Sequence, residues 1–473
     1  MPHPQRLIFD VTSLARWVGP AVGIVRAEHA LASYALRRQS EIVLSFCDAQ
    51  TRAFRPLRRE WAEIVTGWNG TTDFIHVDNR WQHSRLQKRL PSFYRAVTAL
   101  ERHRLAAKSI AGARSMELLQ HLFLANRYLR RYLHLFADPQ GGPHAVVPFA
   151  VAVDGVLSLG PGDTMVSGGM DWFHKDIDMV GEIKRRYGFR YVVLCYDILP
   201  LTAPEFFQPF DVDMVRKYWD KMFALAEGVI VNSRRIEADV RRYCWERGIR
   251  PGRIEVLPLG YDPPRRRGVR VGVLPSGLEA GRYALFVSTI EPRKGHALLL
   301  EVWRRLLAEG VPQEHRFKLV FAGRPGWLVQ EVLAQISDEA AFGGTLLHFG
   351  ELGDEALAAL YRGAAFCLYP SLYEGFGLPV VEAYAHGKAV IASSGGAIPE
   401  IAAPFSPCLD PRDPGVWQVE IRRWIEEPSV RAGYEARVAA CFKFPTWDEA
   451  AARIFATARS VPTRAGADAS LAE

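Results

Sequence analysis

The sequence predicts an α/β protein built from two Rossmann-like domains with parallel sheets. In the first half, the apolar run Leu7–Val11 is followed by a glycine-containing turn, a helical stretch at 24–37 and another apolar run at 42–46. This order of strand, turn, helix and strand is typical of the start of a doubly wound domain. In the second half, short apolar runs alternate with amphipathic stretches between 284 and 392. Residues 258–281 are rich in Pro, Gly and Arg, which is typical of a linker.

The later strands of the first half are predicted to end in small or polar residues. Apolar runs at 164–167, 191–196 and 228–231 lead into a glycine pair, into Asp197 and into Asn232-Ser233 respectively. Open parallel sheets place their ligand-binding loops at the carboxyl ends of the strands. We therefore expect functional residues in these loops.

The composition is that of a globular protein. Of 473 residues, 49% are hydrophobic and 23% are charged, which allows more than one buried core. The six cysteines form no CxxC pair, and Cys195 and Cys367 lie in apolar runs, so they are interpreted as reduced core thiols. The first residues do not resemble a signal peptide, and no uncharged apolar stretch of about 18 residues occurs. The expected localisation is therefore cytoplasmic.

Positive charge is concentrated in one part of the chain. The formal net charge is +7, and residues 79–136 contain twelve Arg or Lys against two acids, Glu101 and Glu117. This stretch is rich in Arg and Leu, which is typical of helices. A helix with a basic face and an apolar face can lie on an anionic membrane. One hypothesis is peripheral contact with the inner face of the plasma membrane. The alternative is a helical insert that packs on the first domain.

The strongest functional signal lies at 371–400, which reads SLYEGFGLPVVEAYAHGKAVIASSGGAIPE. Glu374 and Glu382 enclose glycines and a proline, a pattern that predicts a turn leading into a helix. The unpaired N–H groups and the positive dipole end of a helix start are suited to a diphosphate. The two carboxylates can accept hydrogen bonds from hydroxyl groups of a sugar and a ribose. The alternative is a helix with two solvated glutamates.

This segment resembles the signature of the family-4 retaining glycosyltransferases, which have the GT-B fold. Other segments also resemble family segments, namely FVSTIEPRKGHALLLEVWRRL, FAGRPGW, LHFGELGDEALAALYRGAAFCLYPS and KFPTWDEAAARIF. The resemblance is nearly continuous over the second half and diffuse before Tyr191. YDILPLTAPEFF and IEPRKGH are similar to segments of bacterial mannosyl- and rhamnosyltransferases of surface polysaccharide assembly, such as O-antigen.

The resemblance implies roles for individual residues of the second half. Glu374 would bind the donor hexose at the reacting carbon, Glu382 the ribose hydroxyls and Lys294 the leaving diphosphate. Many relatives carry an Arg six positions before the Lys. Ser288 stands there in this chain, and Arg293 is the substitute candidate. The alternative for Arg293 and Lys294 is a solvated charge pair at a helix start. Backbone amides that would contact the sugar and phosphate belong to Phe376, Gly377 and Leu378, and residues that would contact the base are Glu351 and Leu352.

In the first half, the turn from Gly19 to Gly23 resembles the family's glycine turn near the donor phosphates and the acceptor. Asp197 stands where many relatives have His-Asp, and Tyr196 replaces the His, so the resemblance implies a catalytic role for Asp197. The alternative is an acid that caps a helix or a loop. Asp171 and Ser233 are weaker candidates of the same kind.

The order of the predicted elements, the linker and the family resemblance together predict the domain limits. Residues 1–262 would form the acceptor domain, with the basic insert at about 79–136. Residues 275–445 would bind the nucleotide sugar, and a helix at 446–461 would cross back to the first domain. The tail at 462–473 is expected to be disordered, because it is small and polar.

The expected reaction transfers a hexose, with mannose or a deoxyhexose favoured, from a nucleotide diphosphate to a hydroxyl of a growing glycan or lipid-linked acceptor. A GDP-sugar is the favoured donor. No cofactor, metal or nucleic-acid partner is expected, since the sequence lacks the dinucleotide, P-loop and zinc motifs. The acid pairs Asp176/Asp178 and Asp211/Asp213 superficially resemble metal-binding pairs. Neither pair follows a strand, so they are not interpreted as a metal site. Alternatives are a nucleotide-sugar epimerase or hydrolase of this fold, or a non-catalytic nucleotide-sugar binding scaffold.

Overall fold

A computed structural model describes residues 5–17, 23–38, 41–49, 51–66, 153–262, 273–350 and 352–463. The predicted basic insert at 79–136, Gly19, Glu351 and the tail from 464 onward lie outside the described residues. Within the described residues, no helix is both long enough and apolar enough to span a bilayer.

The first domain contains a seven-stranded sheet. Its strands are β1 (Leu7–Asp10), β2 (Ile42–Asp48), β3 (Ala53–Pro56), β4 (Thr164–Ser167), β5 (Arg190–Cys195), β6 (Gly228–Val231) and β7 (Arg253–Val256). Their spatial order is β3-β2-β1-β4-β5-β6-β7, and every pair is parallel except β2 with β3. The central strands are fully buried, as expected for a sheet covered by helices on both faces. The order reverses between β1 and β4, which is where such sheets bind ligands.

The helices of the first domain begin where the sequence offers caps or flexible residues. They are α1 (Thr12–Arg16), α2 (Gly23–Arg37), α3 (Arg59–Thr66), α4 (Ile177–Tyr187), α5 (Leu199–Thr202), α6 (Pro209–Leu225) and α7 (Arg234–Glu246). Asp176 caps α4 and Ser233 caps α7, because each side chain accepts hydrogen bonds from backbone N–H groups of the first turn. The core packs Trp219, Phe223 and Tyr191 between sheet and helices.

The second domain contains a six-stranded, fully parallel sheet. Its strands are β8 (Tyr283–Val287), β9 (Lys318–Ala322), β10 (Leu346–Phe349), β11 (Phe366–Tyr369), β12 (Val390–Ser393) and β13 (Cys408–Leu409). The spatial order is β10-β9-β8-β11-β12-β13, so the topology reverses between β8 and β11. The loops that follow these two strands carry the residues singled out by the sequence.

The helices of the second half complete the doubly wound pattern. They are α8 (His296–Ala308), α9 (Val311–Glu314), α10 (Gln330–Ile336), α11 (Glu339–Phe342), α12 (Asp354–Gly363), α13 (Leu378–Ala385), α14 (Ile398–Ala402), α15 (Pro414–Glu426), α16 (Pro428–Cys441) and α17 (Trp447–Ser460). Helix α17 begins with a capping box formed by Thr446 and Glu449. Its Phe455 packs on Phe9 and Tyr34 of the first domain, at ring-centroid distances of 5.4 and 5.9 Å.

The predicted fold class, with two Rossmann-like domains and a returning C-terminal helix, is confirmed. Cys195 and Cys367 are free and buried, as expected for core thiols. The elements that the sequence did not predict include β3, β7 and β13, which are short and lie at sheet edges. Strands β7 and β13 are also only partly buried, so they lack the apolar runs that mark the central strands. The exact domain limits remain predictions.

Candidate active site

The predicted sugar-binding turn follows β11 and leads into α13. Gly377 precedes the first residue of the helix and has a φ of 120°, a backbone conformation that favours glycine. The turn is held by the loop after β12, because the Ala397 N–H donates to the carbonyl oxygen of Glu374 at 2.9 Å. A Cβ atom on Gly396 would lie 2.4 Å from that same oxygen, so this position requires glycine. The backbone of Glu374 is therefore fixed by its neighbours.

Glu374 is bound by two cations from the loop after β8. Lys294 Nζ donates to Glu374 Oε1 at 2.7 Å, and Arg293 Nη1 donates to Oε2 at 2.8 Å. Arg293 also donates to the carbonyl oxygen of Tyr373 at 3.0 Å. The structure thus brings Glu374 to Arg293 and Lys294, which precede it by 81 and 80 positions in the sequence.

The electrostatics of this group keep Glu374 ionised. Burial opposes its ionisation, but the adjacent Arg293 and Lys294 outweigh burial and lower the pKa of Glu374 to about 2. Arg293 also pairs with Glu291 at 3.1 Å, and burial raises the pKa of Glu291. Cations at a helix start are unfavourable unless an anion joins them. In the structure, Glu374 and Glu291 are already their partners.

Asp197 lies beside the predicted sugar-binding turn. A Cβ atom on Gly375 would lie 2.8 Å from Asp197 Cβ and 2.5 Å from the carbonyl oxygen of Tyr196, so the two backbones are in close contact. One Asp197 oxygen accepts a hydrogen bond from the Leu199 N–H at 3.1 Å. Burial raises the pKa of Asp197, against the lowering effect of Arg293. The acid is thus next to the predicted centre and also supports the start of α5.

Further contacts between the domains surround Tyr373, and the sequence did not predict them. The Glu400 carboxylate accepts hydrogen bonds from the N–H groups of Arg234 and Arg235 at 2.9 and 2.8 Å, at the start of α7. Arg235 Nε donates to the Tyr373 hydroxyl at 2.6 Å, and that hydroxyl donates to Asp239. Glu400 is the last residue of the glycine-rich segment at 371–400, and no spacing rule links it to a helix of the other domain.

Glu382, the predicted ribose ligand, has a partner from each domain. Its Oε1 accepts a hydrogen bond from Arg26 Nη1 at 3.1 Å, and its Oε2 accepts one from the Tyr361 hydroxyl at 2.9 Å. The Glu382 side chain is 10% exposed. It is therefore not a solvated helix residue, and the alternative of two solvated glutamates is wrong.

The remaining candidates are distributed as follows. A Cβ atom on Gly23 would lie 4.0 Å from Leu378, so this residue, the first of α2, lies against the start of α13. Phe376 is buried and its ring centroid is 5.9 Å from that of Phe444. Leu352 packs against the core of the second domain. Ser288 donates to the carbonyl oxygen of Thr289 and brings no charge.

The acid pairs of the first domain have structural roles. Asp176 caps α4, Asp178 pairs with Lys221, and Asp213 pairs with Arg216. Among the residues that the structure describes, no group of three or more His, Cys, Asp or Glu side chains could hold a metal ion. Metal independence remains a prediction.

A buried charge cluster lies at the carboxyl ends of β1 and β4, and only Asp171 of it was singled out by sequence. Lys175 Nζ pairs with Asp10 at 2.7 Å and with Asp171 at 2.8 Å, and all three side chains are buried. Glu28 lies against Gly169, whose added Cβ atom would be 2.7 Å from both carboxyl oxygens of Glu28. Burial, followed by the nearby Asp171, raises the pKa of Glu28 to about 8.

The second half of the chain is similar to a family of known proteins. Residues 276–438 match the family described as Glycosyl transferases group 1. The matched range includes the whole sheet of the second domain together with Arg293, Lys294, Glu374 and Glu382. The resemblance to glycosyltransferases is therefore confirmed for the second half of the chain.

Two bacterial relatives match the chain over part of its length. O-antigen chain mannosyltransferase B of Escherichia coli is 34% identical over 166 residues, which are 35% of this chain and 42% of that protein. MMP alpha-(1->4)-mannosyltransferase of Mycolicibacterium hassiacum is 32% identical over 231 residues, which are 46% of this chain and 51% of that protein. The chain spans about half the length of the curated relatives it matches.

A solved structure extends the likeness of fold to nearly the whole chain. Sucrose-phosphate synthase from Thermosynechococcus elongatus superposes with a TM-score of 0.56 at 17% identity, covering 96% of this chain and 98% of that one. The fold is GT-B, and residues 276–438 match glycosyl transferases group 1. Within that class, the two sequence relatives are named as mannosyltransferases.

Proposed function

We propose that this protein is a retaining glycosyltransferase that uses a nucleotide diphosphate sugar as donor. The proposed sugar is a hexose, with mannose or a deoxyhexose favoured, carried on GDP. The proposed acceptor is a hydroxyl group of a growing glycan or of a lipid-linked saccharide. The names of the two relatives support mannose and surface polysaccharide assembly.

The observation that carries the proposal is the bond from Lys294 Nζ to Glu374 Oε1 at 2.7 Å. It joins the loop proposed to hold the diphosphate to the turn proposed to hold the sugar. A nucleotide sugar needs a cation at its phosphates and an acceptor of hydrogen bonds at its sugar, close to each other. Lys294 supplies the cation and Glu374 supplies the acceptor, and the two side chains are in direct contact.

Glu374 acts as a hydrogen-bond acceptor in this proposal. Because its pKa is lowered to about 2, the carboxylate is ionised at neutral pH and has no proton to donate. It accepts hydrogen bonds from sugar hydroxyls, and its negative charge faces the anomeric carbon as positive charge develops there. Preorganised charge of this kind is a large contribution to catalysis in dry sites.

The chemical step transfers the sugar with retention. The bond from the anomeric carbon to the diphosphate oxygen breaks, and the acceptor oxygen bonds to the same face of that carbon. The proton of the acceptor hydroxyl passes to the leaving diphosphate. Lys294 stabilises the charge that grows on the diphosphate, since its ammonium has N–H donors beyond the one that binds Glu374.

The test is an assay of nucleotide release from a panel of nucleotide sugars, each with and without a lipid-linked acceptor. The expected result is release from one GDP-sugar that depends on acceptor and persists in EDTA. Product analysis should give a linkage with the anomeric configuration of the donor. Release or isomerisation without acceptor would instead support a hydrolase or epimerase, and binding without turnover would support a scaffold.

A further inference from the structure

An arginine of the first domain reaches the nucleotide side of the proposed site. Arg26 lies in the first turn of α2, and its Nη1 donates to Glu382 Oε1 at 3.1 Å, although the two residues are 356 positions apart. Gly23, at the start of the same helix, lies against Leu378, the first residue of α13. The first turns of α2 and α13 are therefore neighbours, and Arg26 lies at their contact.

Exposure distinguishes Arg26 from the cations of the second domain. Its side chain is 42% exposed, whereas those of Arg293 and Lys294 are 12% and 13% exposed. Among the described residues, Arg26 makes one hydrogen bond, to Glu382. A guanidinium has five N–H donors in a planar fork, so most of the donors of Arg26 are open to another acceptor.

The charges of the second domain leave a need for such a cation. Arg293 and Lys294 are both bound to Glu374, and Arg293 is also paired with Glu291. Two cations thus face two carboxylates, and this group offers little net positive charge to a diphosphate. Ser288 adds none, since its hydroxyl is neutral, and it donates to the backbone carbonyl of Thr289.

We propose that Arg26 is a donor-binding residue that contacts the diphosphate while it remains bound to Glu382. Arginine forms strong, charge-assisted hydrogen bonds with phosphate oxygens, and its fork can serve two acceptors at once. The donor is then held by cations from both domains, and Arg26 connects the ribose ligand Glu382 to the phosphates. This inference rests on the proposed function, because it takes a nucleotide diphosphate as the ligand.

The experiment measures the affinities of GDP, GMP and guanosine by calorimetry, with UDP, UMP and uridine as a second series. The variants are Arg26→Ala and Arg26→Lys. The matched control is Arg37→Ala, at the other end of α2, where Arg37 pairs with Asp448 on the surface. Thermal unfolding of each variant verifies that the fold is retained.

The expected result for Arg26→Ala is a loss of GDP affinity of roughly ten- to a hundredfold, with a much smaller loss for guanosine. Arg26→Lys should recover part of the loss, and Arg37→Ala should match the wild type. Equal losses for GDP and guanosine would overturn the proposal, because Arg26 would then act on the ribose ligand alone. If the wild type binds neither GDP nor UDP, the proposed donor fails together with this inference.

Discussion

Ser233 Oγ donates to the carbonyl oxygen of Gly375 at 3.0 Å, which joins the cap of α7 in the first domain to the turn that carries Glu374 in the second. The same hydroxyl accepts a hydrogen bond from the Ile236 N–H. One side chain therefore starts a helix and positions the turn beside Asp197. Its two bonds explain why a serine at the end of β6 is relevant to the proposed reaction.

Gly375→Ala tests the close contact in this region. The added methyl group would lie 2.5 Å from the Tyr196 carbonyl oxygen, so the backbones must separate. We expect transfer to fall by roughly a hundredfold, the scale associated with a displacement of about 1 Å at a reacting centre. The control is Gly433→Ala, where no atom lies within 4 Å of the added group. Normal kcat/KM in a folded Gly375→Ala protein would contradict this reading of the contact.

Glu374→Gln is the sharper test of the sugar ligand. Glu374→Ala would also leave Arg293 buried without this partner, and breaking such a pair costs about 3–5 kcal/mol. The amide keeps the size of the side chain and removes its charge. We expect kcat to fall by about 10²–10³-fold, with the fold retained in circular dichroism. Glu301→Gln, an exposed residue of α8 paired with Arg305, is the control and should be active.

The pairing of Glu374 also affects stability in acid. Its folded pKa of about 2 lies below the ordinary value of 4.5, so its ionisation stabilises the fold above pH 4.5. This contribution is lost as the pH falls from 4.5 through 2. Urea unfolding of the wild type should therefore lose stability in this range, and Glu374→Gln should lose less. Parallel curves for the two proteins would show that the pKa of Glu374 is not lowered.

Lys294→Ala should weaken donor binding and slow the chemical step. The ammonium faces charge that grows as the diphosphate leaves, so its contribution is larger in the transition state than in the ground state. We expect both a higher KM for the donor and a kcat lowered by about 10²-fold. The control is Lys318→Ala, whose exposed amine bonds the Gly277 carbonyl oxygen. If only KM changes, Lys294 binds the substrate and the transition state equally.

Glu28→Gln should stabilise the protein in a pH-dependent way. The folded pKa of Glu28 is about 8, above its ordinary value of 4.5, because of burial and the nearby Asp171. Its contribution to stability is complete below pH 4.5 and is lost as the pH rises through 8. The free energy of unfolding of Glu28→Gln should exceed that of the wild type by an amount that grows from pH 4.5 to pH 8 and reaches about 2–4 kcal/mol. Urea unfolding at about pH 5, 7 and 9 measures it, with Glu63→Gln as the exposed control.

The basic stretch at 79–136 is predicted to bind anionic membranes, where an acceptor lipid would be found. Each basic residue contributes about 1 kcal/mol near anionic lipid, so Arg85, Lys88 and Arg89 changed to Gln should weaken binding by roughly a hundredfold. Sedimentation with phosphatidylserine vesicles measures it, and binding should fade with salt. The control carries the same charge change at exposed residues, Arg241, Arg304 and Arg423. Equal recovery with neutral and anionic vesicles would leave the stretch as a packed insert.

The sequence by itself determined the fold class and the central elements. The run at Lys318–Ala322 is a strand inside the sheet as predicted, and His296–Ala308 is the predicted helix. A strand that is buried on both faces of a parallel sheet needs a continuous apolar run, and such a run can be recognised in the sequence. The local pattern from Glu374 to Glu382 also identified the turn and the helix start. The preferences of glycine and proline for turns and helix starts depend only on neighbouring residues, so they can be recognised in the sequence.

Only the tertiary structure decided which charges are partners. The strand order β8-β11 brings Arg293 and Lys294 to Glu374, and the contact of α2 with the second domain brings Arg26 to Glu382. Sequence periodicity indicates which face of an element is buried, but it does not indicate which other element packs against that face. Ion pairs between distant residues depend on that packing, because their strength falls with distance and with exposure to water.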